Sequence, residues 1–253
     1  MPPHNYVYRY ERKPGHYVYI QDGSAYVAAG ATISRVLKRY TPDRIFYHLK
    51  RRGGHVAALR LHQQSRYFSR FDIQDFFESI ARTRVARSLR EVGFPHKQAF
   101  NIAIEGVVVD GTRKFLPYGF RQSPLLATLA LEKSHLGRCL IDLNRAGTLA
   151  SVYMDDILIS GDDRSQIEVA SAAIEEAAMA AGFVLSVTKR ALNVTEVDIF
   201  NCHIQASELS VLDRRMEEFA SAFHLASEAG QAAIEKYIEA ISAKELMRFH
   251  RMV

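Results

Sequence analysis

The sequence predicts an α+β fold, and three observations carry that prediction. Tyr67 to Ile73 is a strand candidate, Leu149 to Ser160 reads as two strands folded on a turn, and helical spacing fills the intervals between them. Strands interleaved with helices that pack on one face make an α+β arrangement.

The elements follow in chain order. Residues 5–30 are rich in Tyr and Val with glycine punctuation, and read as irregular structure with one or two short strands. Ala31 to Arg51 carries Ile33, Val36, Leu37, Ile45, Phe46 and Leu49, and reads as helix broken near Pro42. Arg51-Arg52-Gly53-Gly54 is a basic turn. Val56 to Leu61 is a further strand candidate before Tyr67 to Ile73. Ala81 to Glu91 reads as helix, with Gly93 as its C-terminal stop. Ser123-Pro124 marks a helix start, because serine caps and proline suits the first turn. Leu125, Leu129, Leu136 and Leu140 continue it at helical spacing. In the Leu149 to Ser160 hairpin, Asp155-Asp156 sits at the turn. Asp162 or Asp163 caps the next helix, which runs through Ile167, Ile174 and Met179 to Gly182. Val184 to Val187 and Ile199 to Ile204 are strand candidates. From Leu212 to the end the chain reads as helix with a weak break around Gly230. There is no internal repeat and no low-complexity linker.

Composition excludes several classes. No apolar run approaches the length needed to cross a bilayer, and no signal-peptide pattern opens the chain, so a cytoplasmic protein off the membrane is expected. The two cysteines, Cys139 and Cys202, lack metal-site spacing and read as reduced thiols, which argues against a structural zinc. Charge is uneven. Met1 to Phe71 holds 13 Lys/Arg and 3 Asp/Glu, a balance of +10, and the remainder holds 20 and 25, a balance of −5. A basic N-terminal third suggests an anionic partner, phosphate first, although a solvated basic face has the same composition.

Two acidic positions carry the chemistry. Asp72, in Phe71-Asp72-Ile73-Gln74-Asp75-Phe76-Phe77, lies at the end of a predicted strand; alone, it reads equally as a cap or turn aspartate. Tyr153-Met154-Asp155-Asp156 is flanked by Val152 and by Ile157, Leu158 and Ile159. Adjacent acids in a tight turn repel, which costs stability unless a cation sits there. A divalent metal relieves that repulsion through hard oxygen ligands. Two such ions can activate an attacking hydroxyl and stabilise a leaving oxygen in phosphoryl transfer. An ordinary Asp-rich turn is the competing explanation for the tetrapeptide.

Residues 44–205 resemble the reverse transcriptases, in block order and in spacing. The segment Phe71 to Ile80 resembles the first palm motif of that family. Leu116-Pro117-Tyr118-Gly119-Phe120-Arg121-Gln122-Ser123-Pro124 resembles the second, and Tyr153 to Asp156 matches the third literally. Gly182-Phe183 through Lys189 looks like the fourth, and Phe200 to Ile204 like the fifth, the primer grip. The resemblance implies a right-hand polymerase: an antiparallel, RRM-like palm with helices on one face, fingers, and a short helical thumb. The implied divisions are 1–66 fingers, 67–80 palm, 81–118 fingers, 119–206 palm and 207–253 thumb. The implied catalyst is an RNA-directed DNA polymerase that adds deoxynucleotides to a 3′-hydroxyl.

The same resemblance implies residue roles. Asp72, Asp155 and Asp156 would bind two Mg²⁺ ions, with Mn²⁺ as the alternative, and Ile73 would contribute its backbone beside them. Phe77 would be the sugar gate, with Phe76 as the other candidate. Tyr118, Gly119, Arg121 and Gln122 would contact the incoming nucleotide, with template as the other partner open to Gly119 and Arg121. Lys189 would protonate the pyrophosphate, though a surface lysine reads the same way. Phe200, Asn201, Cys202 and His203 would grip the primer. Arg44, Arg51, Arg52, Arg60 and Arg66 are the candidates for holding the triphosphate. Arg214, Arg215, Lys236, Lys244, Arg248 and Arg251 are available for duplex contacts. Tyr118 departs from the glutamine usual in the family, which touches nucleotide discrimination. Gln122-Ser123-Pro124 with Thr128 looks most like bacterial reverse transcriptases of phage defence and abortive infection. The implied partners are an RNA template, a dedicated non-coding RNA among the candidates, a DNA primer or product, and dNTPs. A partner protein or self-association would supplement a short thumb. Three alternatives stand beside templated DNA synthesis: RNA synthesis, which Phe77 opposes; template-independent or protein-primed DNA synthesis; and an inactive palm that binds RNA.

Overall fold

The structure is a computed structural model that describes residues 5–49 and 53–253. It begins with a two-stranded hairpin, β1 (Tyr6–Lys13) and β2 (His16–Gln21). Asp22 then caps α1 (Gly23–Leu37) through the amides of Ser24 and Ala25. This helix starts eight residues earlier than the apolar spacing suggests and does not resume after Pro42. Residues 45–47 instead lie along the main sheet, where Tyr47 and Val152 exchange backbone bonds with Val152 and Ile45.

Val56 to Leu61 is not a strand. It belongs to α2 (Gly54–His62), which buries Ala58, Leu59 and His62 on one face. A short apolar run has no periodicity of its own, so packing decided it. The strand β3 (Tyr67–Asp72) follows, then α3 (Arg82–Glu91). Gly93, at φ +87°, ends α3: Phe94 N–H donates to Leu89 C=O and Gly93 N–H to Arg90 C=O. No expectation lies behind α4 (His96–Gly106) or the small hairpin β4 (Val108–Asp110) with β5 (Arg113–Phe115). The leucine series is two helices, α5 (Ser123–Glu132) and α6 (His135–Arg145), broken where Ser134 caps the second. Ser123 does not cap α5; it is the first helical residue, and its buried hydroxyl has no hydrogen-bond partner among the described residues.

The hairpin β6 (Leu149–Tyr153) and β7 (Asp156–Gly161) forms as expected, and Asp163 caps α7 (Arg164–Ala181). Val184 to Val187 is extended but makes only one bridge, Ile73 to Leu185; the next strand is β8 (Ala191–Val194). Ile199 to Ile204 is two strands. β9 (Glu196–Ile199) and β10 (Cys202–Gln205) turn at Phe200 and Asn201, both left-handed at φ +54° and +64°. β11 (Glu208–Val211) completes a three-stranded sheet. Three helices close the chain: α8 (Asp213–Phe223), α9 (Glu228–Ile241) and α10 (Ala243–Phe249). The breaks fall at Ser227 and Ser242, which cap α9 and α10, and Gly230 lies inside α9.

The main sheet is antiparallel in the order β6-β7-β3-β8, with β3 and β7 central. Alternation sends Phe71, Ile157 and Ile159 to the face covered by α5, α6 and α7. Phe68 and Leu158 point the other way, into a second core with Leu59 of α2, the three-stranded sheet and α8 to α10. The α+β class holds, but the second face is also covered at one end. Among the described residues, no helix is long and apolar enough to cross a membrane.

The fully buried His62 ties α2 to this second face. Its ring bridges the Ser160 hydroxyl at 2.7 Å and the Ser151 hydroxyl at 2.8 Å. Burial lowers its pKa from the usual 6.5 to about 3. The unfolded chain therefore takes a proton below about pH 6.5 that the folded chain refuses, so stability falls as pH drops from there toward 3. Urea unfolding at about pH 7 and pH 5 is expected to show roughly 2 kcal/mol lost to this group. A His62→Gln variant, which keeps polar contacts without the titration, should lack that loss; an equal pH dependence in both proteins would contradict the assignment.

Candidate active site

The site forms where β3 ends beside the β6–β7 turn. Asp72 is the last residue of β3 and stands directly opposite Asp156, the first residue of β7. Tyr153 pairs with Asp156, so Met154 and Asp155 make a two-residue turn. Met154 has φ +61°, the sign needed at the first position of a II′ turn and usually supplied by glycine. Asp72 lies on the same face of β3 as Phe68 and Arg70.

The backbone locks the three acids together. Ile73 N–H donates to Asp155 C=O at 2.9 Å, and Ser186 N–H donates to Asp72 C=O at 2.8 Å. The second bond holds the 184–189 segment against the end of β3 and brings Lys189 in. Lys189 Nζ donates to Asp72 Oδ2 at 2.7 Å, and Arg70 donates to Asp156 Oδ1 at 2.9 Å. Arg70 also donates to the Asp198 carbonyl, anchoring it on β9.

Three carboxylates thus face two cations, and Asp155 has neither. Burial, then Asp156 and Asp72, push its pKa up to about 6. Asp156 is also raised, by burial first, against the pull of Arg70. Lys189 is raised by its bond to Asp72. Among the described residues, no three His, Cys, Asp or Glu side chains converge closely enough to hold one ion as they stand. The donor set nonetheless fits a hard divalent cation: carboxylate oxygens with excess negative charge, and one of them occupied by a half-exposed lysine that can swing away.

Asp72 and Asp155 line a cavity of about 790 Å³, whereas Asp156 does not. The β1–β2 hairpin lines the same cavity through Arg12, Lys13, His16 and Tyr17, and His16 lies 3.7 Å from Asp75. Lys189 lies on the acid side. Sequence reasoning missed Arg12 and Lys13. The only signal for them was the basic N-terminal charge balance, because the contact spans about sixty residues of chain. The arginines it favoured lie elsewhere. Arg44, Arg60 and Arg66 do not line the cavity, and Arg60 donates to Ala240 C=O. Arg51 and Arg52 lie outside the described residues.

The nucleotide-contact candidates separate. Tyr118 lines the cavity, and burial and Asp155 push its pKa up to about 12. Phe77 is buried behind it, with the two rings edge to face at 4.6 Å. Phe76 points into the core against Phe183. Gly119 has φ +99°, and a Cβ there would lie 2.3 Å from the Tyr19 carbonyl. Its close approach is therefore to β2, and the Tyr19 N–H bond to Tyr118 C=O fixes the hairpin at that point. Arg121 and Gln122 do not reach the cavity. Arg121 lies on α1 with its guanidinium 4.9 Å over Tyr26, and Gln122 is buried against the Glu105 carbonyl.

Of the primer-grip candidates, Phe200 and Asn201 form the β9–β10 turn, Cys202 is buried, and His203 bonds Asp198 at 2.7 Å. The Phe200 ring packs 5.5 Å from Tyr153, so the turn abuts the acidic hairpin. In the C-terminal helices, Arg214, Arg215 and Arg248 pair with carboxylates of the same lobe.

No curated protein matches the chain in sequence. Solved structures do match in fold. Telomerase from Candida albicans, in complex with a fragment of telomeric RNA, aligns at a TM-score of 0.56 and 9% identity, covering 90% of this chain and 46% of that one. Apo telomerase from Candida tropicalis, truncated of its C-terminal domain, aligns at 0.53 and 8%, covering 74% and 45%. The chain thus spans about half the length of these structures. A family model described as reverse transcriptase (RNA-dependent DNA polymerase) matches residues 27–211, which contain the three aspartates and Lys189. The chain belongs to the reverse transcriptase family.

Proposed function

We propose that the chain is an RNA-directed DNA polymerase that extends a 3′-hydroxyl with deoxynucleotides on an RNA template. The observation that carries this reading is the Asp72–Asp156 register with Asp155 in the adjoining turn, at a cavity that Arg12 and Lys13 also line. Acids and cations lining one cavity suit a nucleoside triphosphate, whose charge the cations neutralise while the acids take up metal.

In this reading the triphosphate lies between Arg12 and Lys13, and the primer end rests on the Phe200 turn beside Tyr153. Asp72 and Asp155, with Asp156 steadied by Arg70, would hold two Mg²⁺ or Mn²⁺ ions, which when bound would supply activation of the attacking hydroxyl and charge stabilisation at the leaving oxygen. The primer oxygen bonds to the α-phosphorus as the bond to the β-phosphate oxygen breaks. Lys189, released from Asp72, gives its proton to the departing pyrophosphate. Tyr118 backed by Phe77 forms the wall against the sugar, leaving no room for a 2′-hydroxyl.

The divisions carried into this reading are fingers at 1–66 and 81–118, palm at 67–80 and 119–206, and thumb at 207–253. The Gln122-Ser123-Pro124 sequence supports a place among bacterial defence-associated enzymes, working in the cytoplasm on a dedicated RNA.

Primer extension on a primed RNA template with Mg²⁺ tests the reading. Extension is expected with dNTPs, falling on the order of 10³-fold in Asp155→Asn, the several kcal/mol that bound metal supplies. Extension by NTPs alone, or by Asp155→Asn at the parent rate, would sink it. In the same assay Phe77→Ala should admit ribonucleotides, since Tyr118 loses its backing; unchanged sugar selectivity would place the gate elsewhere.

A further inference from the structure

Three grooves border α3, the first two on its α4 side and the third on its α5–α6 side. The first, toward the β4–β5 hairpin, holds Arg82, Arg113 and Lys114. The second, between α3 and α4, holds Arg82, Arg87 and Arg90, with Phe100 in its wall. The third, toward the α5–α6 turn, holds Arg87, Lys133 and Arg138. Arg82 is shared by the first two and Arg87 by the last two, so the three adjoin and a strand that follows them wraps across α3. None of these residues lines the acid cavity.

The track carries positive charge that the protein does not neutralise. Its two carboxylates are already engaged, Glu78 by Arg113 at 3.6 Å and Glu91 by Arg138 at 2.9 Å. Among the described residues, Arg82, Arg87, Arg90 and Lys114 have no carboxylate partner. Cations crowded along one helix repel, and burial followed by Arg87 lowers the pKa of neighbouring Arg84. An isolated anion would satisfy one groove; only an extended polyanion follows all three.

Phe100 narrows the choice of polyanion. Phe100 is 39% exposed, with its ring parallel to His96 within 7° and the Arg82 guanidinium lying 5.0 Å over it. An unpaired base that takes the guanidinium's place stacks on the ring and frees Arg82 for a phosphate, whereas a duplex keeps its bases inside and an acidic peptide has none. We propose that the surface across α3 is a second binding track, for single-stranded nucleic acid, with phosphates on Arg82, Arg87, Arg90 and Lys114 and a base on Phe100. The phosphodiester and unpaired base are common to RNA and DNA.

Fluorescence anisotropy with RNA and DNA single strands of roughly 30 nucleotides, and a duplex of equal length, tests the track directly. The readout is binding, so it stands whether or not the chain extends a primer. Arg82→Gln/Arg87→Gln/Arg90→Gln, shown folded by an unchanged thermal midpoint, is expected to bind single strands at least about tenfold more weakly. Its slope of log K against log salt should fall by about 2, at roughly 0.7 for each of the lost phosphate contacts. Phe100→Ala should weaken single-strand binding about five- to tenfold and leave the duplex unchanged. Whichever of RNA and DNA loses more is the strand the track holds. Parent affinity and salt slope in the triple variant would overturn the proposal. So would an equal loss for duplex and single strand in Phe100→Ala, or binding of polyglutamate that the triple variant loses while it keeps its nucleic-acid affinity.

Discussion

The antiparallel register of β3 and β7 sets Asp72 against Asp156, and the rest of the site answers that placement. Like charges directly opposite on a sheet are destabilising, and the turn adds a third in Asp155. Lys189 and Arg70 each neutralise one carboxylate, and burial with the other two acids keeps the third reluctant to ionise. A sheet end with this charge pattern is poor for stability and well matched to binding cations. A one-residue slip in register would turn Asp72 to the helical face and dismantle the arrangement.

The surrounding architecture holds that register from both faces. Phe71, Ile157 and Ile159 fix it in the large core, while the His62 bridge to Ser151 and Ser160 spans both strands of the hairpin from the other side. Gly119 docks the β1–β2 hairpin over the cavity, because only a residue without a side chain fits against Tyr19. The candidate site is thus assembled from segments far apart in sequence: an N-terminal hairpin, a strand end, a turn and the loop after α7.

Much of this was legible in the sequence, for local reasons. Tyr67 to Asp72 is a short aromatic-rich run, the acidic turn is flanked by apolar strands, and Asp163 and Gly93 are caps with local mechanisms. What failed depended on tertiary contact. Val56 to Leu61 is apolar enough for strand or helix, and its packing on the sheet made it helix. Ile45 to Tyr47 carried helical spacing but pairs with Val152. Phe200 and Asn201 hid a turn inside an apolar run. Arg121 and Gln122 sit beside Tyr118 in sequence, yet the loop carries them to α1 and α4, while Arg12 and Lys13 return to the cavity through a hairpin docked on Tyr118 and Gly119. Short-range pattern located the acids; the cations of the cavity required the fold.

The central claim is that Asp72, Asp155 and Asp156 together hold divalent metal. Anomalous diffraction from crystals soaked in Mn²⁺ with a deoxynucleoside triphosphate tests it most directly. The account predicts two peaks within carboxylate reach of Asp72 and Asp155, about 3.5–4 Å apart, with Lys189 withdrawn from Asp72. Mn²⁺ bound elsewhere, with the Lys189–Asp72 pair intact and no peak between the acids, would contradict it.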